Sequence, residues 1–199
     1  MKMLLINLKI VTVLLNFQQL SNSQRPLQPN EKNVNYISKF RAVNCNSLHN
    51  STAYWTLCYI KSYSRTISTL NFGIKAENPI KPFLQFVASY RYGNIYREVM
   101  DTKIFDWCVI MDGLDSNILV KFILDTIRES IPGLFHKCPY YGLMEFYNIT
   151  INDEVAKKLS IFPEGQYKYN VTIFDRPDRV ILVIAVFVDV KSPSKSSFG

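Results

Sequence analysis

Between residues 38 and 106 short apolar stretches alternate with turn residues. Runs at 38–45, 54–62, 66–76, 82–91 and 94–106 are rich in Val, Ile, Thr, Tyr and Phe. Strand side chains point alternately to two faces, so runs of this length and spacing predict an all-β sandwich or barrel beginning near Ile37. Arg91-Tyr92-Gly93-Asn94 supplies a Gly-Asn hairpin turn between the last two runs, and Asn78-Pro79 marks a break. The pattern changes between Asp115 and Ser130. There Ile118, Leu119, Phe122, Ile123 and Ile127 recur at helical spacing, with Lys121, Asp125, Arg128 and Glu129 elsewhere. One amphipathic helix is predicted, capped by Asp115 or Ser116, stopped by Pro132-Gly133, and packed by its stripe on the sandwich.

Two later strands can be registered from N-x-[ST] triplets, because a glycan has to face solvent. With Asn170 outward, Lys168 and Thr172 are outward too, and Tyr167, Tyr169, Val171 and Ile173 form an inward apolar set. With Asn148 outward, Leu143, Tyr147, Ile149 and Ile151 face in together with Glu145, while Met144 and Phe146 face out. Val180–Val188 is an unbroken apolar run, read as a strand covered on both faces. The domain so predicted spans 37–190. It is preceded by a flexible segment, 24–36, containing Pro26 and Pro29, and followed by a flexible serine-rich tail, 191–199. No internal repeat or second domain is visible.

The N-terminus sets the compartment. Lys2, the apolar run Leu4–Leu15 and the small residues Ser21-Asn22-Ser23 have the layout of a secretory signal peptide over 1–23, with Lys9 interrupting the run. The run is shorter than the ~20 residues needed to span a bilayer, so stable membrane insertion is not expected. Loss of Lys2 and Lys9 lowers the formal charge from +7 to +5. The basic residues are scattered and read as solubility rather than a nucleic-acid or lipid-surface patch. Three sequons, at Asn50, Asn148 and Asn170, agree with a secreted, extracellular glycoprotein.

Cys45, Cys58, Cys108 and Cys138 are even in number, which suits disulfides in an oxidising compartment. Three pairings are possible and sequence alone does not select among them. We favour Cys45 with Cys58, across a short loop between two strands, and Cys108 with Cys138, around the helix. A metal or thiol site would need close C-x-x-C pairs or an activated Cys; His136 precedes Cys138 by two residues, but it and His49 read as loop residues.

Composition narrows the chemistry. Apolar residues make up 48% and charged residues 20%, which fits a folded domain. Thirteen Phe and twelve Tyr stand against seven Gly and two His, so glycine-rich phosphate loops and histidine metal centres lack material. No nucleotide-loop, zinc-protease or nucleophile-elbow motif occurs. Glu98, Asp101 and Asp106 read as a solvated face. No catalytic residue, cofactor or metal is expected.

Three ordered segments carry a resemblance: Asp106-Trp107-Cys108, Cys138-Pro139-Tyr140-Tyr141-Gly142, and Phe162-Pro163-Glu164-Gly165-Gln166-Tyr167. In these, over roughly 38–190, the chain resembles an insect family of secreted, mostly uncharacterised domains related to the CheB chemosensory proteins and similar to the ML lipid-recognition superfamily. The resemblance implies an immunoglobulin-like β-sandwich, with one inserted amphipathic helix, whose sheets can part around a lipid.

The inward candidates to line such a slot are Leu70, Phe72, Ile74, Leu84, Phe86, Tyr147, Ile149, Tyr167, Tyr169 and Val171, the tyrosine hydroxyls meeting a polar head group. The same positions could simply fill a closed core. The leading reading is a secreted, non-enzymatic binder of a lipid or other hydrophobic small molecule, such as a chemosensory cue presented to an extracellular receptor. The rival is an extracellular interaction module with a closed core and exposed Met144 and Phe146. A hydrolase, or an activator presenting lipid to one, is a third reading without a visible catalytic constellation.

Overall fold

A computed structural model describes residues 37–113, 118–151 and 163–191. The signal segment, the segment 24–36, the helix-cap candidates Asp115 and Ser116, Phe162 and the tail beyond Lys191 lie outside the described residues. The strands are β1 Ile37–Ser47, β2 Ala53–Ser62, β3 Ser68–Ile80, β4 Phe83–Tyr92, β5 Ile95–Asp101, β6 Phe105–Asp106, β7 Tyr140–Ile149, β8 Gly165–Arg176 and β9 Arg179–Lys191. Between β6 and β7 lie α1 (Trp107–Met111), α2 (Ile118–Ser130) and a 3-10 turn, Pro132–Leu134.

The strands form two antiparallel sheets. One runs β1-β9-β8-β4-β5 with β6 also on β4; the other runs β2-β3-β7. Phe72 and Ile74 of the smaller sheet share one apolar core with Leu182 and Ile184 of the larger. This is the expected all-β sandwich with an inserted helix. Gly93, at φ +59, makes the two-residue hairpin turn that pairs Tyr92 with Ile95. Gly165 opens β8 at φ +151, where an added Cβ would meet the Tyr90 ring at 2.5 Å. The ring covers the bare backbone while its hydroxyl donates to the Glu164 carbonyl (3.0 Å).

Several expectations are corrected. The run 94–106 is not one strand: the chain turns at Thr102-Lys103 before β6 returns to β4. Asp101 holds the turn, accepting from the Lys103 backbone N–H (2.8 Å) and Nζ (2.7 Å), while Thr102 Oγ1 accepts from the Phe86 N–H (3.0 Å). Hydrogen bonds from Lys103 and then Gln85 hold the Asp101 carboxyl down to about 2. Asp106 is no solvated-face carboxylate; it caps α1 by accepting from the Cys108 and Val109 N–H groups. At five residues α1 is too short to show a helical period. Asn78-Pro79 does not end β3 but produces a register shift between Ala76 and Ile80. In α2 the buried positions are Val120, Ile123 and Leu124, whereas Ile118 is 83% exposed. The stripe is therefore centred about one residue further on than the spacing alone indicated.

The disulfides adopt the favoured pairing, Cys45–Cys58 and Cys108–Cys138. The first links β1 of the larger sheet to β2 of the smaller, and the second ties α1 to the segment before β7. Cys45–Cys58 spans 13 residues, and by the chain-entropy argument the constraint it puts on the unfolded chain is worth about 3 kcal/mol. Replacing both cysteines by Ala should lower unfolding free energy by about that amount in chemical denaturation. An unchanged midpoint would show that the staple does not contribute to holding the sheets together.

Candidate functional site

A cavity of about 300 Å³ lies between the two sheets and beneath α2. Strand alternation builds its walls. On β8, Tyr169, Val171 and Ile173 face the cavity, as read from the sequence; on β4, Leu84 and Phe86 do so, and on β3, Leu70, Phe72 and Ile74. Ile149 of β7 completes the set of expected positions that meet there.

Two expected positions do not. Tyr167 is on the inward side of β8 but only 1% exposed, packed edge-on against Tyr90 (5.1 Å between centroids) in the solid core. Its hydroxyl donates to the Pro163 carbonyl (2.6 Å), and burial, with Tyr90 and Tyr92 nearby, pushes its pKa up to about 12. Tyr147 points to solvent and is 53% exposed. Leu143 is exposed as well, and Met144 and Phe146 line the cavity, so the expected register of β7 is inverted over 143–147, while Asn148 faces out and Ile149 in as expected.

The cause is a bulge. Phe72 pairs with Phe146 and Leu70 with Ile149, which sets three steps of β7 against two of β3. Asn148 takes up the extra residue at φ +55, a conformation Asn tolerates. Its N–H donates to the buried Asn71 Oδ1 (2.8 Å), and the Tyr63 hydroxyl donates to its Oδ1 (3.2 Å). The bulge lets Tyr147 and Asn148 both face out while Ile149 turns in. Met144 and Phe146, read as exposed contacts for the rival hypothesis, line the cavity instead, while Tyr141, Leu143 and Tyr147 of β7 are exposed.

The sequence reading missed several contributions to the walls, among them Phe105 and Trp107. Val186, Val188, Leu182 and Ile184 of β9 line the cavity, but an unbroken apolar run has no alternation to mark its inner face. Phe40 and Trp55 come from β1 and β2. Ile123, Leu124 and Ile127 of α2 form the roof, a placement to which the helical stripe pointed without specifying a cavity.

No Asp, Glu, Lys, Arg or His lines the cavity among the described residues. The polar groups of its walls mostly satisfy one another. The Trp107 indole N–H donates to the Tyr140 hydroxyl (2.7 Å), which donates onward to the Leu134 carbonyl (2.7 Å). Burial raises the Tyr140 pKa and keeps it a neutral donor. The Thr126 hydroxyl bonds back to the Phe122 carbonyl (2.9 Å). What remains is an apolar space whose chemistry is exclusion of water.

A family model described as "Protein of unknown function (DUF1091)" matches residues 84–169, from β4 into β8. The three segments at 106–108, 138–142 and 162–167 lie within that span. No curated protein matches the chain. Among solved structures, a Niemann-Pick type C2 protein from the Japanese carpenter ant is similar with 10% identity, over 76% of this chain and 90% of that chain, at a TM-score of 0.27.

The Trp107–Tyr140 contact allows a direct test. Tyr140→Phe keeps the ring but leaves the buried indole N–H unpaired, and should cost about 1–3 kcal/mol in denaturant unfolding. A loss well below 1 kcal/mol would mean that water replaces the hydroxyl.

Proposed function

We propose that the protein is a secreted, non-enzymatic binder of a lipid or other hydrophobic small molecule, carried between its two sheets, and that the cargo is a chemosensory cue. The observation that carries this reading is the size and composition of the cavity. An unfilled apolar void forgoes about 24 cal/mol per Å³, so 300 Å³ corresponds to roughly 7 kcal/mol, comparable with the 5–15 kcal/mol net stability of a whole domain. Water gains little by entering where polar partners are lacking. An apolar ligand restores the missing contacts and hides its own surface at roughly 25 cal/mol per Å².

The volume also bounds the cargo. A cavity of about 150 Å³ takes benzene, so one of this size holds roughly twelve non-hydrogen atoms. Export is supported by the N-terminal segment, two disulfides and three sequons. No helix among the described residues is long and apolar enough to cross a membrane. We expect glycans on exposed Asn50 and Asn148 and on half-buried Asn170, which faces away from the cavity.

Binding of a homologous series of linear alcohols to delipidated protein tests the reading. Affinity should rise about fourfold per methylene, the equivalent of 0.8 kcal/mol, and level off near twelve heavy atoms. Val171→Trp, which places an indole in the cavity, should weaken uptake at least tenfold while leaving the far-ultraviolet circular dichroism unchanged. Protein that takes up no alcohol, fatty acid, sterol or hydrocarbon would overturn the proposal.

A further inference from the structure

The polar inventory of the cavity carries a selectivity one step beyond hydrophobic binding, and that selectivity rests on the proposed function. Trp107, Tyr140 and Thr126 direct their polar atoms to partners within the protein. Ser130, half-buried at the end of α2, and Thr150, exposed beyond β7, also border the cavity and form no side-chain hydrogen bond among the described residues. Tyr169 differs from these two in its place. It stands in mid-strand on β8, held between the Phe86 ring (5.8 Å between centroids) and the stacked Tyr167 ring (6.1 Å). No hydrogen bond to its hydroxyl is formed among the described residues, although Tyr167 next to it finds the Pro163 carbonyl. The residue is half-buried, so its unpartnered hydroxyl remains available to an incoming polar atom.

We infer that the cavity selects uncharged, singly oxygenated chains, such as an alcohol, ester or ketone, whose oxygen bonds to the Tyr169 hydroxyl, over chains with an ionised head. Two features combine here. The lining supplies no cation to pair with a carboxylate and no anion to pair with an amine, so an ionised head would enter unpaired. The same lining offers one oxygen a partner. Burial raises the Tyr169 pKa, which keeps the phenol protonated and able to donate throughout the physiological range.

Competition binding of decan-1-ol, decane and decanoate at neutral pH, against a neutral environment-sensitive dye, separates the possibilities. The alcohol should bind at least tenfold more tightly than the carboxylate. Tyr169→Phe should weaken the alcohol about fivefold, the worth of one neutral hydrogen bond, and leave decane within twofold. Equal binding of alcohol and carboxylate to the unaltered protein would overturn the inference while leaving hydrophobic binding intact, and needs no variant. Equal weakening of alcohol and alkane by Tyr169→Phe would also overturn it, by assigning Tyr169 a packing role. Binding of none of the three would instead overturn the proposed function, and this inference with it.

Discussion

The constraint on which the molecule depends is that two sheets, each with an apolar inner face, must keep those faces from water without closing on each other. In an ordinary sandwich the inner side chains interdigitate across a gap of about 10 Å and fill it. Here the rows from β3 and β7 meet those from β4, β8 and β9 only in part, and the remainder is roofed by α2. The helix therefore replaces sheet-on-sheet packing, which is why its buried face carries Ile123, Leu124 and Ile127 while Ile118 is left in solvent.

Holding the faces apart requires fastening at the edges. Cys45–Cys58 supplies this between the sheets, and Cys108–Cys138 supplies it where the helical insertion leaves and rejoins them. Around the second bridge the Trp107–Tyr140–Leu134 relay adds a buried polar chain to the covalent link. The polar groups of the walls are thus committed to architecture. An interior whose hydrogen bonds run within the protein stays apolar toward whatever enters.

How much of this was legible depends on whether a local pattern survived the tertiary structure. The strands of 38–92 and the hairpin at Gly93 were readable because each run is rich in β-branched and aromatic residues and bounded by turn residues, and the inner face of β8 because its alternation from Tyr167 to Ile173 is uninterrupted. β7 was misread because one residue, Asn148, shifts its parity; the hydrogen bonds that hold it come from Asn71 and Tyr63, 77 and 85 residues away. β9 gave a strand but no orientation, since apolar residues occupy both of its faces. Eight of the ten expected wall positions meet at the cavity, yet nothing in the sequence distinguished lining from filling. That difference lies in the separation of the sheets, a long-range quantity to which no single strand's pattern responds.

This separation also divides the tasks of affinity and choice. Desolvation of an apolar chain sets affinity and is indifferent to the chain's identity, so a wall of aliphatic and aromatic side chains discriminates weakly among shapes of equal volume. Volume sets an upper length. Discrimination among chains of one length falls to the few polar atoms, where a missing partner is penalised more heavily than a made one is rewarded. In a cavity whose indole, Thr126 and Tyr140 are already committed, the proposed selectivity rests on the uncommitted Tyr169 hydroxyl of β8 rather than on the apolar lining. On the proposed reading, a single aromatic ring substitution at such a position would change what is carried without changing whether something is.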